Sequence, residues 1–177
     1  VTRDENGEPE TAYGIGIDVT AQEREKEKYD KARKQMSVVH SDSVASFHLN
    51  ITMNWCGEGQ SGMDDLLKQQ EPGTADGYFS EFAKRIADED IKAEFINRFT
   101  RENLIKKFAE GKLTETFEYP TIHKDGIRHW RQLKLYMLQN PETGDLEAYT
   151  YGIDIDEQKN NEHLLKTVSR HSYNFLA

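Results

Sequence analysis

The chain has 177 residues, long enough for one well-buried domain with attachments and too short for two full-sized domains joined by a linker. Hydrophobic residues make up 36% and charged residues 31%, and no apolar run approaches the ~20 residues of a membrane span, which reads as a soluble globular chain. A net charge of −9 argues against a nucleic-acid partner, and the single cysteine, Cys56, can build neither an internal disulfide nor a multi-cysteine metal site, so a reducing cytoplasm is the expected location.

In chain order, residues 12–19 read as a strand that runs straight into a helix at Thr20, where Thr20 and Glu23 have the spacing of a capping box. Residues 148–155 repeat the same pattern, and Asp156 then stands as an N-cap for a second charged helix. The turn-like residues 4–8 resemble residues 140–144 ahead of the second copy, so residues 1–19 read as the C-terminal hairpin of an upstream copy. Residues 20–40 read as a charged linker helix carrying the stripe Tyr29, Ala32, Met36 and Val39. That stripe suits either a dimeric coiled coil or packing on its own domain, and the sequence leaves both open. Residues 44–53 alternate Phe47, Leu49, Ile51 and Met53 with polar residues, the period of a half-buried strand. A second short strand is expected within residues 54–60, followed by helices over 62–70, 77–87 and a longer one over 88–111. In the last of these Ile91, Phe95, Phe99, Ile105 and Phe108 supply a buried face and Gly111 a C-cap. Strands over 113–123, 127–139 and 146–155 then follow as successive hairpins.

The order strand, strand, helices, three antiparallel strands, with a closing Gly152-Ile153-Asp154-Ile155, resembles the PAS fold with its PAC-type C-terminal motif. The further stations of that likeness are the acidic helix start Asp88-Glu89-Asp90, the hairpin Asp125-Gly126, and Arg128-His129-Trp130. It departs from the pattern in having Asp156 where threonine is usual and in a closing glycine one place nearer its aspartate. The resemblance implies an α+β domain, a five-stranded antiparallel sheet with helices on one face, flanked by N- and C-terminal linker helices. The complete domain would span residues 41–157. Residues 158–177 would form a C-terminal linker helix and the start of a further copy, since their end echoes residues 39–47. It also implies a sensory segment from a tandem-PAS bacterial signalling protein, catalysing nothing itself. Its partners would be the neighbouring PAS and output domains and a second copy, held as a homodimer through the linker helices. The output would be a GGDEF-type diguanylate cyclase or, second, a sensor histidine kinase.

For chemistry, the six histidines show no metalloprotease pairing and no zinc cluster, and no phosphate loop is present. The cofactors that the resemblance offers are haem, flavin or a small metabolite. Residues 88–111 hold no histidine for haem, and Cys56, following Trp55 and preceding Gly57, lacks the surroundings of a flavin-reactive cysteine. A small metabolite or no ligand is left. Alternation would turn Phe47, Leu49, Phe117, Tyr119, Leu133, Leu135 and Tyr151 toward Phe99, Ile105 and Phe108, which lines either a ligand pocket or an ordinary core. Gly152, Asp154 and Asp156 form the expected signal junction, with Asp154 pairing a basic residue. The rival reading, a small-molecule enzyme, would use Asp90, Glu118 or His129 as acid or base.

Overall fold

The computed structural model describes residues 2–11, 20–57, 59–61, 73–122 and 126–174. β1 (Thr2–Arg3) and β2 (Pro9–Thr11) pair as a small antiparallel ribbon, and α1 (Thr20–Val39) follows. The domain proper begins with β3 (Ala45–Asn50), β4 (Trp55–Cys56) and the two-residue β5 (Gln60–Ser61). Next come α2 (Ala75–Ala83), α3 (Glu89–Arg98) and α4 (Arg101–Ala109), then β6 (Thr114–Ile122), β7 (Arg128–Gln139), β8 (Leu146–Asp154) and α5 (Asp156–Asn174). The strand expected over 12–19, the helix expected over 62–70 and the turn residues 124–125 lie outside the described residues.

All pairings are antiparallel, in the order β4-β3-β8-β7-β6, with β5 also on β3. The first strand thus lies beside the last. Register fixes the faces: Leu133, Leu135 and Met137 of β7 stand opposite Gly152, Thr150 and Ala148 of β8. All three β7 side chains are buried in one core with Leu49 of β3, Phe117 of β6 and the apolar faces of α2 to α4. Within that core Phe95 stacks on Phe82 and on Phe99 at 4.7 and 4.6 Å, and Phe117 meets both Phe95 and Phe99 edge-on. Such aromatic pairs contribute ~0.5–1.5 kcal/mol each beyond their buried area.

Three sequence expectations are corrected here. The single helix expected over 88–111 is two helices, because Thr100 takes an extended backbone and its hydroxyl accepts from the Asn103 N–H, starting a new helix. The restart shifts the helical phase, so Leu104 is fully buried and Ile105 is 44% exposed. The strand expected over 44–53 ends at Asn50, and Met53, beyond its end, is 67% exposed rather than on the core face. The helix expected over 77–87 starts earlier, at Ala75, because the Thr74 hydroxyl accepts from the Gly77 N–H. Gly111 closes α4 as expected, with φ +81° and the Lys112 N–H returning to the Lys107 carbonyl.

β6 is an edge strand, yet two of its outward carbonyls are occupied. Arg98 donates to Thr116 O at 3.0 Å, the Ala87 N–H donates to Pro120 O at 2.9 Å, and Pro120 itself has no N–H to offer.

Candidate functional site

The helix-facing side of the sheet gathers most of the residues expected to line a pocket. Leu49, Phe99, Phe117, Tyr119, Leu133 and Leu135 are buried in the core cluster, with Phe47 and Phe108 packed against it. Two expected members are not there. Ile105 is displaced by the helix restart, and Tyr151 points through the opposite face, where its ring lies 4.6 Å from that of His40 and 6.0 Å from that of Tyr136. The reason is parity on β8: Thr150 is the helix-facing neighbour, bonded to the Tyr78 hydroxyl at 2.9 Å. Burial raises Tyr78 above its ordinary value and pushes Tyr119 up to about 12, so both phenols stay neutral in this core. Cys56 is also in the core cluster, and burial raises its thiol.

The outer face of the sheet carries a polar cluster that the sequence did not announce. Glu147 of β8, 6% exposed, accepts from His48 Nε2 of β3 at 2.9 Å, Asn140 Nδ2 of the β7–β8 turn at 2.9 Å, and the Tyr149 hydroxyl at 2.8 Å. The Tyr29 hydroxyl of α1 is its fourth donor and lies 2.9 Å from the Tyr149 hydroxyl. Burial alone would raise this carboxyl, but the hydrogen bonds outweigh burial and hold it at about 2. Arg33 of α1 places its guanidinium 5.5 Å from the Tyr29 ring centroid and 5.4 Å from that of Tyr149. His48 stacks on Tyr149 at 4.5 Å. Between α1 and this cluster lies a cleft of about 260 Å³ bordered by Lys26, Asp30, Arg33 and Glu142. The stripe on α1 is therefore shared: Tyr29, Ala32 and Met36 are half-buried and Tyr29 reaches its own domain, while Val39 is 68% exposed. His40, just beyond α1, is buried and bonded to the Tyr136 hydroxyl at 2.7 Å. His48 was missed because alternation on β3 marked only its apolar side, and Glu147 and Tyr149 because β8 is buried on both faces, which led to Tyr151 of the same outer face being assigned to the core. The polar phase of the alternation on β3 is the signal that could have found His48.

The third group is the strand-to-helix junction. Asp154, the last residue of β8, pairs with Arg131 of β7 at 2.6 Å, and its Oδ1 accepts the Asp156 N–H at 3.0 Å. Asp156 was expected to cap α5. Instead it lies in the first turn, and its carboxylate crosses to β7, accepting the Trp130 N–H at 2.5 Å and pairing with His129 Nδ1 at 2.5 Å. Burial would raise the Asp156 carboxyl, and the Trp130 and His129 hydrogen bonds bring it below its usual value instead. Asp154 takes over the task of satisfying the exposed helix end. Trp130 is flanked by two cations, Arg128 at 5.4 Å and Lys159 of α5 at 5.2 Å. Gly152 has an ordinary backbone, and a Cβ there would meet Val44 at 3.5 Å, so nothing in the geometry demands a glycine. Arg131 is 4% exposed, and its Nε is the one buried side-chain polar atom among the described residues without a hydrogen bond.

The residues named for an enzymatic alternative are not brought together. Glu118 pairs with Lys159 at 2.5 Å on the outer face, His129 pairs with Asp156, and Asp90 lies in the first turn of α3, which packs on the other face. Among the described residues no group of three or more histidine, cysteine or carboxylate side chains could hold a metal ion.

No protein-family model matches the chain, and no curated protein matches it. Solved structures of related outline include the N-terminal domain of a diguanylate cyclase with PAS/PAC sensor from Marinobacter aquaeolei, at 14% identity and a TM-score of 0.43, covering 65% of this chain and 97% of that one. A sensory box histidine kinase/response regulator from Burkholderia thailandensis matches at 18% identity and a TM-score of 0.46, over 80% of this chain and 98% of that one. A PAS domain from Colwellia psychrerythraea matches at 16% identity and 0.40, over 71% and 98%. The chain's own topology defines its class: an α+β domain with an antiparallel sheet in which β3 and β8 are neighbours and, among the described residues, α2, α3 and α4 lie on one face. It has the PAS fold.

Proposed function

We propose that this chain is a sensory and relay segment of a multidomain bacterial signalling protein, in which the packing state of the PAS-fold domain reaches an output module through β8 and α5. The observation that carries this reading is the junction itself. One residue separates the end of the sheet from α5, and Asp154 and Asp156 tie the two together through Arg131, Trp130 and His129. A shift of β8 against β7 therefore alters the groups that hold the start of α5.

No catalytic role is assigned to the chain, and a small metabolite or no ligand at all occupies the helix-facing core. The apolar, aromatic lining there suits either reading. The resemblance favours a diguanylate cyclase as output and a histidine kinase second. A homodimer through the linker helices is supported by exposed Val38 and Val39 on α1 and Leu164, Leu165 and Val168 on α5. A cytoplasmic setting is part of the same proposal; among the described residues no helix is long and apolar enough to cross a membrane.

The test is amide hydrogen exchange on an Asp154→Ala variant. The first two turns of α5 are expected to exchange several-fold faster while β6 and β7 keep their protection. Unchanged protection in α5 would remove the junction as the lever. Native mass spectrometry of the same preparation separates the two ligand readings, by a stoichiometric bound molecule or its absence.

A further inference from the structure

Four elements converge on Glu147: β3 through His48, the β7–β8 turn through Asn140, β8 itself through Tyr149, and α1 through Tyr29. Three of these belong to the sheet and its turn. The fourth, α1, has no buried residue along its whole length, so apolar burial does little to hold it. What fixes it are polar and ring contacts: the Tyr29 hydroxyl on Glu147 and Tyr149, Arg33 over the Tyr149 ring, and Lys26 on Glu142 at 2.5 Å. An element held by so few contacts opens at low free-energy cost, and its opening leaves the remaining three donors on Glu147 in place.

The strand that receives α1 is also the strand that controls α5. β8 carries Glu147 on its outer face near one end and Asp154 at the other, roughly 23 Å away at strand rise. It is paired along this whole length with β7, from Leu146 opposite Gln139 to Asp154 opposite Arg131. A change in how β8 sits at Glu147 is carried to the Arg131–Asp154 pair by one continuous ladder.

We propose that Tyr29 and Glu147 form a latch through which the docking of α1 on the outer face of the sheet sets the order of α5, so that input can pass from one linker helix to the other without a change in the helix-covered core. This rests on the junction reading above and adds an input to it. Coupling of this kind is reciprocal: if docking of α1 favours an ordered α5, loosening α5 must loosen α1 by the same factor.

Hydrogen exchange on Tyr29→Phe, compared with Asp154→Ala and wild type, tests it. Tyr29→Phe keeps the ring under Arg33 and removes only the hydroxyl, so the sheet stays folded. Exchange over residues 20–39 is expected to rise about fivefold, the loss of one hydrogen bond, and exchange in the first two turns of α5 to rise with it. Asp154→Ala is expected to raise exchange in α1 reciprocally. If Tyr29→Phe loosens α1 while α5 is unaffected, or fails to loosen α1, the latch is refuted. If Asp154→Ala still loosens α5 in that case, the junction reading survives alone; if it does not, both fail.

Discussion

Replacing Glu147 with glutamine tests the outer-face cluster most directly. The substitution keeps the shape and one acceptor oxygen but removes the charge on which the Tyr29, Tyr149 and His48 donors converge. A carboxyl held at about 2 instead of its ordinary 4.5 favours the folded state by at most ~3 kcal/mol. Water in the adjoining cleft screens this to about 2 kcal/mol. Because the folded-state value is depressed, the contribution is complete above about pH 4.5 and is lost as the pH falls toward about 2. Urea unfolding followed by circular dichroism at pH 7, 4.5, 3 and 2 reads the difference between wild type and Glu147→Gln. It should be about 2 kcal/mol at neutral pH and shrink progressively between pH 4.5 and 2. A difference that is absent at pH 7, or that stays constant down to pH 2, would show that the carboxylate is not what organises this face.

The core gives two further expectations. Phe95→Ala, which removes the ring stacked between Phe82 and Phe99, should cost about 3–5 kcal/mol in the same unfolding assay, and a loss below 1 kcal/mol would mean that the aromatic cluster collapses around the gap. Leu104→Ala should cost about 2–5 kcal/mol while Ile105→Ala costs under ~1 kcal/mol; equal effects would contradict the helix restart at Thr100.

The fold was legible because its strongest signals are periodic. Alternation through Leu133 and Leu135 marked the core face of β7, and the turn residues on either side of β7 set the two hairpins that put β6, β7 and β8 in order. The break at Thr100 was not legible, since Ile91, Phe95, Phe99 and Phe108 fit one uninterrupted helix as well as two, and the hydroxyl that caps α4 is a tertiary-scale choice between equal local readings. Tyr151 was misassigned for a related reason. β8 has Tyr149, Thr150 and Tyr151 buried in succession, one face under α1 and the other under α2, so hydrophobicity alone gives no phase. The junction was half legible: Asp154 was expected to pair with a basic residue and Asp156 to cap α5, whereas in the structure Asp154 both meets Arg131 of β7 and accepts the Asp156 N–H, and the Asp156 carboxylate crosses to β7, an outcome set by the register of Arg131 against Asp154. Nothing local marks Glu147 as the meeting point of four elements, because three of its donors are ~100 residues away or more or depend on the fold of a turn.

The guarded rim at β6 bears on how copies of this domain can associate. An uncovered edge strand nine residues long would invite a second molecule to extend the sheet, the route by which antiparallel domains polymerise. Here an incoming strand would find the Thr116 and Pro120 carbonyls already engaged by Arg98 and Ala87, and no donor at Pro120. Growth of a continuous intermolecular ribbon is blocked at its middle. Self-association is thereby steered away from β6 and toward side-chain surfaces, where it can remain reversible and of fixed stoichiometry.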